Sequence, residues 1–133
     1  MEKRMNKEEV LDLLNSLKID KNEYWILSSA ALVLRDLFPD AGDLDIAVTD
    51  EGLKELEKNY NLKQKENGWY IVEDKVECVC DGKKENLNSQ PELICGYYVQ
   101  NINDYYKFLL SSEREKDKKR IHLIEEYIKT IKN

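Results

Sequence analysis

This chain of 133 residues has only one histidine and three cysteines. Cys78, Cys80 and Cys95 are odd in number, and with a single His122 they suggest neither a disulfide framework nor a Cys/His zinc site. Cys78 and Cys80 fall in a strand-like run and read as small buried hydrophobes. No apolar run is long enough to span a membrane. The opening stretch, Met1-Glu2-Lys3-Arg4-Met5-Asn6-Lys7-Glu8-Glu9, is charged and lacks the apolar core of a signal peptide, so a cytoplasmic location is the expectation. Basic residues are in deficit. The net charge of −6 argues against broad nucleic-acid contact, which calls for a basic face, while leaving room for a local basic pocket. Hydrophobic content is 41%, compatible with a globular protein, and the length suits one domain, 1–133, with one modest core.

What the chain does have is Asp43-Leu44-Asp45 at the head of an apolar run, Leu44 to Val48. That run reads as a short buried strand. Two carboxylates spaced i, i+2 on a strand share a face. Side-by-side anions at a core edge need a neutraliser, and a divalent cation is the usual one, because Mg²⁺ takes one or two carboxylates plus phosphate oxygens. The plainer reading is a turn aspartate after Gly42 followed by a solvated one.

The upstream residues favour the first reading. Tyr24-Trp25-Ile26-Leu27 forms an aromatic and β-branched run, an expected inner strand. It stops at Ser28-Ser29. Ala30 to Phe38 then reads as a helix ended by Pro39. Serines at a helix start cap free amides, and the same helix end offers amides and a positive dipole to a phosphate. A phosphate site and a metal site at one end of two neighbouring strands is the layout that phosphoryl chemistry requires.

Ser28-Ser29-Ala30-Ala31-Leu32-Val33-Leu34, followed by Asp43-Leu44-Asp45-Ile46, resembles the signature of the polymerase-beta-like nucleotidyltransferase superfamily. The likeness is to the small bacterial members that modify antibiotics or belong to toxin–antitoxin and abortive-infection systems. It covers about a sixth of the chain. The family has glycine first in the pair, which lets a phosphate approach the backbone, and this chain has Ser28. The resemblance implies an α/β (α+β) fold, a small mixed sheet flanked by helices with C-terminal helices packed on it. It implies Mg²⁺ or Mn²⁺ on Asp43 and Asp45, and β- and γ-phosphates seated at Ser28 and Ser29. It also implies a third acid on a strand beside the Asp-x-Asp strand. The best match is Glu77, as a metal ligand or as the base that deprotonates an acceptor hydroxyl. The alternative is that Glu77 simply faces solvent. Asp81 shares its face but abuts Gly82 and suits a turn better. Arg114-Glu115-Lys116-Asp117 resembles the family's Arg-x-Lys-Asp-like opening of a late helix, which implies that Lys116 and Arg114 reach triphosphate oxygens. The plainer reading is a solvated helix start with Glu115 paired to Lys119.

Elsewhere, Asn6 is a candidate cap for a helix over Lys7–Leu17, and Thr49 for a helix to about Asn59 with Leu53 and Leu56 inward. Leu62–Glu66, Trp69–Val72 and Lys75–Cys80 read as short strands, with Asn67-Gly68 as a hairpin signal. Asp81–Pro91 reads as a loop and Leu93–Val99 as one edge strand. Ile102–Leu110 reads as a helix. So does a segment from near Arg114 to Ile131, with Ile121, Ile124, Ile128 and Ile131 as its apolar stripe. His122 reads as a surface residue, and Tyr97, Tyr98, Tyr105 and Tyr106 as packing residues more than base-stacking ones.

These readings combine into a metal-dependent nucleotidyltransferase. It would move a nucleoside monophosphate from a nucleoside triphosphate to an acceptor hydroxyl on a small molecule or protein, with nucleic acid a less attractive acceptor. The alternative is a binding module on the same fold, an antitoxin-like partner of another protein with weak or no catalysis.

Overall fold

The computed structural model describes residues 4–82, 90–112 and 114–132, the side chains of residues 116, 131 and 132 excepted. Among the described residues are five α-helices and one seven-stranded mixed sheet, an α+β fold. The helices are α1 (Lys7–Ser16), α2 (Ser28–Leu34), α3 (Asp50–Asn59), α4 (Ile102–Leu110) and α5 (Glu115–Lys132). The strands are β1 (Tyr24–Ile26), β2 (Leu44–Thr49), β3 (Lys63–Gln64), β4 (Tyr70–Glu73), β5 (Val76–Gly82), β6 (Glu92–Ile94) and β7 (Tyr97–Val99). Contacts divide the chain into two compact units, Met1–Gln100 and Asn101–Asn133. No helix among the described residues is long and apolar enough to cross a membrane.

Local chemistry sets most boundaries of the first unit. Asn6 and Glu9 form a reciprocal capping box at the start of α1. Thr49 caps α3 by accepting from the Gly52 amide at 3.1 Å, and its hydroxyl donates to the Glu23 carboxylate. Gly52 is required there, because a Cβ would meet the Glu23 carbonyl oxygen at 2.6 Å. The Asn67-Gly68 hairpin joins β3 to β4, with Gly68 at φ +90°.

Helix α2 is shorter than its apolar composition suggests. It ends at Leu34 rather than Phe38, well before Pro39. Asp36 adopts φ +64°, its amide donates to the Val33 carbonyl, and the Leu37 amide donates to the Leu32 carbonyl. That is a Schellman stop with aspartate in the position glycine usually takes. The segment read as one edge strand is instead a hairpin, β6 and β7, turning at Cys95-Gly96 with φ +54° and +84°. The segment read as a loop from Asp81 begins later, since β5 runs to Gly82, and 83–89 lie outside the described residues.

The strand order is β3-β4-β5-β2-β1-β7-β6. One face carries Tyr24, Ile26, Leu44, Ile46, Val48, Val76 and Cys78 into a core shared with Val10 and Leu14 of α1, Ala31 and Val33 of α2, and Leu56 of α3. Each Leu, Ile or Val fully buried in this layer contributes about 1.5–3 kcal/mol. Cys78 belongs to it, and burial pushes its thiol up to about 12.

In the second unit Ile102, Tyr105 and Leu109 of α4 and Ile124 of α5 are buried. Of the expected isoleucine stripe only Ile124 is fully enclosed; Ile121 and Ile128 are half-buried, and the Ile131 side chain lies outside the described residues. Arg120 donates to the Tyr105 hydroxyl at 3.0 Å, and Tyr106 donates to Glu125 at 2.8 Å. In the first unit the buried Tyr97 ring lies under the Lys21 ammonium at 4.7 Å. These three tyrosines are thus engaged in packing and hydrogen bonding.

Candidate active site

Sheet register brings the acidic residues together. Strands β2 and β5 pair in parallel, with Asp45 opposite Glu77. Residues opposite each other on paired strands project from the same face. Strand β4 adds Ile71 opposite Glu77, and β3 adds Lys63 opposite Ile71. One row across four strands therefore reads Lys63, Ile71, Glu77, Asp45. On the other flank of β2, β1 runs antiparallel, and the Leu27 amide donates to the Asp45 carbonyl at 2.9 Å. Ser28 is the next residue, so the serine pair stands beside the Asp-x-Asp strand.

The electrostatics follow from this crowding. Asp43 is exposed and Asp45 half-buried. Burial pushes the Asp45 carboxyl up to about 6, with the negative charges of Asp43 and Glu77 adding to the effect and Lys65 opposing it. Lys65 Nζ donates to Glu77 Oε1 at 2.8 Å. Its ammonium is held above the ordinary lysine value by that hydrogen bond and by the charges of Glu77, Asp45 and Asp43. Lys65 was not legible as a site residue, because only closure of the Asn67-Gly68 hairpin carries it to Glu77. An open groove of about 510 Å³ lies alongside, lined by Lys63, Gln64, Lys65, Glu66, Asn67 and Ile71.

Asp81 stands apart from this cluster. The β2–β5 register slips between Val48 and Thr49, so that Cys80 faces Val48 and Gly82 faces Thr49. Asp81 is the extra residue of that bulge, near the end of β2 opposite Asp45.

The serine pair departs from the expected cap. The residue flanking α2 is Leu27, and no side chain caps the helix amides. Ser28 itself sits at φ +54°, the left-handed region that glycine enters freely and serine does not. The position where the nucleotidyltransferase signature has glycine is thus one whose backbone favours glycine. Ser28→Gly is expected to stabilise the protein by about 0.5–1 kcal/mol, the relief of strain exceeding the entropy gained by the unfolded chain. A urea midpoint below that of the wild type would contradict this.

Arg114 and Lys116 belong to the second unit. Arg114 Nε donates to Asp117 Oδ2 at 2.7 Å, and the Lys116 side chain lies outside the described residues. Glu115 pairs with Lys118 at 3.0 Å rather than with Lys119, one residue short of the expected spacing. His122 is exposed, as read.

The carboxylates of Asp43, Asp45 and Glu77 offer hard oxygen atoms of the kind Mg²⁺ or Mn²⁺ takes, and the Asp45 carboxyl is raised by burial first and by the charges of Asp43 and Glu77 second. Among the described residues no three His, Cys, Asp or Glu side chains already converge as a ligand set. Lys65 is bound to the carboxylate that would complete one.

No protein family, characterised protein or solved structure matches this chain.

Proposed function

We propose that the chain is a metal-dependent nucleotidyltransferase. The observation that carries this reading is the register that sets Asp45, two residues after Asp43, beside Glu77, with Ser28 and Ser29 at the adjoining strand end. Asp43, Asp45 and Glu77 are the residues that would hold Mg²⁺ or Mn²⁺. When bound, the cation supplies positive charge to the triphosphate and to the pyrophosphate leaving group. Ser28 and Ser29 seat the β- and γ-phosphates through free amides and hydroxyls at a helix start of only two turns. The other role open to Glu77, in place of metal binding, is as the base that takes the proton of the acceptor hydroxyl. The acceptor oxygen bonds to the α-phosphorus as the α–β bridging P–O bond breaks, and pyrophosphate departs with the electron pair. The acceptor is a small molecule or a protein, the net charge of −6 making nucleic acid a poor match. The setting is cytoplasmic.

Two observations favour a second reading. Lys65 already neutralises Glu77, and Ser28 holds a glycine-type backbone, as suits an antitoxin-like partner protein that has lost catalysis. Calorimetric titration with Mg²⁺ and each nucleoside triphosphate separates the two. The enzyme is expected to give binding heat with at least one nucleotide, and only when metal is present. Silence with all four would discard the enzymatic reading in favour of the partner module.

A further inference from the structure

We propose that Lys65 is the built-in counter-ion of this site, a positioning residue that occupies Glu77 until a divalent cation displaces it. The inference rests on the metal-binding reading above. Asp45 stands opposite Glu77 and two residues from Asp43, and Lys65 is bonded to Glu77 at 2.8 Å. A carboxylate oxygen already taken by an ammonium is a poorer metal ligand, and two cations on one carboxylate repel each other. Lysine and metal therefore compete for Glu77.

The competition turns on a side chain that already meets solvent. The Lys65 side chain is 37% exposed, so its ion pair is one that solvent already screens. It also lines the open groove with Lys63, Gln64, Glu66, Asn67 and Ile71, which leaves a displaced ammonium open solvent to enter. Lysine suits this role better than arginine: its ammonium is a compact point charge on a flexible stem, whereas a guanidinium grips a carboxylate at two points. In the metal-free protein the same pair keeps Glu77 aligned in the row that includes Asp45.

Mn²⁺ titration of the full chain, followed by the loss of the free-ion electron paramagnetic resonance signal, tests this without any turnover. Lys65→Met is expected to bind Mn²⁺ about three- to tenfold more tightly than wild type, since the competitor is gone. Lys65→Gln, which keeps a polar group in the groove, is expected to do the same, so a folding fault in one variant does not decide the outcome. Lys65→Arg, which restores the charge, is expected to bind no more tightly than wild type. Equal or weaker Mn²⁺ binding in both neutral variants overturns the counter-ion role and leaves the metal site standing. If neither the wild type nor the neutral variants bind Mn²⁺, the metal reading falls and this inference with it.

Discussion

Asp45→Asn is expected to raise the melting temperature by about 3–8 °C while abolishing metal-dependent nucleotide binding. Both effects come from one charge. The carboxyl is pushed up to about 6 by burial and by its acidic neighbours, against an unperturbed value of 3.8. An ionised Asp45 therefore destabilises the folded chain at neutral pH. The residue is half-buried, so after solvent screening the penalty is on the order of 1–2 kcal/mol. Asparagine keeps the shape and removes the charge. The pH dependence has a definite sign. Between the unfolded value and about 6 the folded state binds more protons than the unfolded one. The Asp45 contribution is thus most favourable below that window, is lost as pH rises through it, and stays lost above it. The Asn variant is expected to lack this component of the pH profile. A variant that melts below wild type at pH 7.5, or one that binds Mg²⁺–nucleotide as well as wild type, would contradict the role assigned to Asp45.

Asp117→Ala is expected to be the most damaging single change in the second unit, lowering its stability by about 3 kcal/mol. The Asp117 side chain is fully buried. It accepts from Ser112 Oγ at 2.6 Å and from Arg114 Nε at 2.7 Å, and faces Arg120 at 3.8 Å. Burial alone would push its carboxyl up, but the Ser112 and Arg114 hydrogen bonds and the two arginine charges together hold it below the ordinary range. Truncation removes the carboxylate that Arg120, only 13% exposed, faces at 3.8 Å. Here the sign is the reverse of Asp45. The Asp117 contribution is present above the unfolded carboxylate value and is lost as pH falls through its depressed folded one. Far-UV circular dichroism during urea titration is the measurement. A helical signal that melts at the wild-type midpoint would show that the network contributes nothing. Ser112→Ala, which removes one neutral donor, is expected to cost about 1 kcal/mol.

The parts of this fold that were legible in the sequence are those that short-range chemistry decides. Asn6, Thr49 and Asn67-Gly68 each satisfy their partners within a few residues, and each marks the boundary that the sequence points to. Alternation along β5 separated Glu77 from Val76 and Cys78 for the same reason. Where a rarer residue took a glycine-like backbone, the reading failed. Asp36 stops α2 early, and Cys95 opens a hairpin inside what read as one strand. Asp36 stands where glycine is usual, while the Cys95-Gly96 turn pairs one glycine with a cysteine that also adopts a positive φ. Non-local pairings were beyond reach altogether. Resemblance alone points to Glu77 as the third acid, whereas its neighbourhood with Asp45 depends on a parallel register, and the Lys65 contact depends on a hairpin folding back across two strands.

The parallel ladder of β2 and β5 makes the acidic pocket inseparable from the folding of the chain itself. A slip of one residue would turn Asp45 to the other side of the sheet, and unfolding would leave the two carboxylates with no reason to meet. A cation that recognises the pair consequently recognises the native molecule alone, and mass action converts such selectivity into resistance to denaturation.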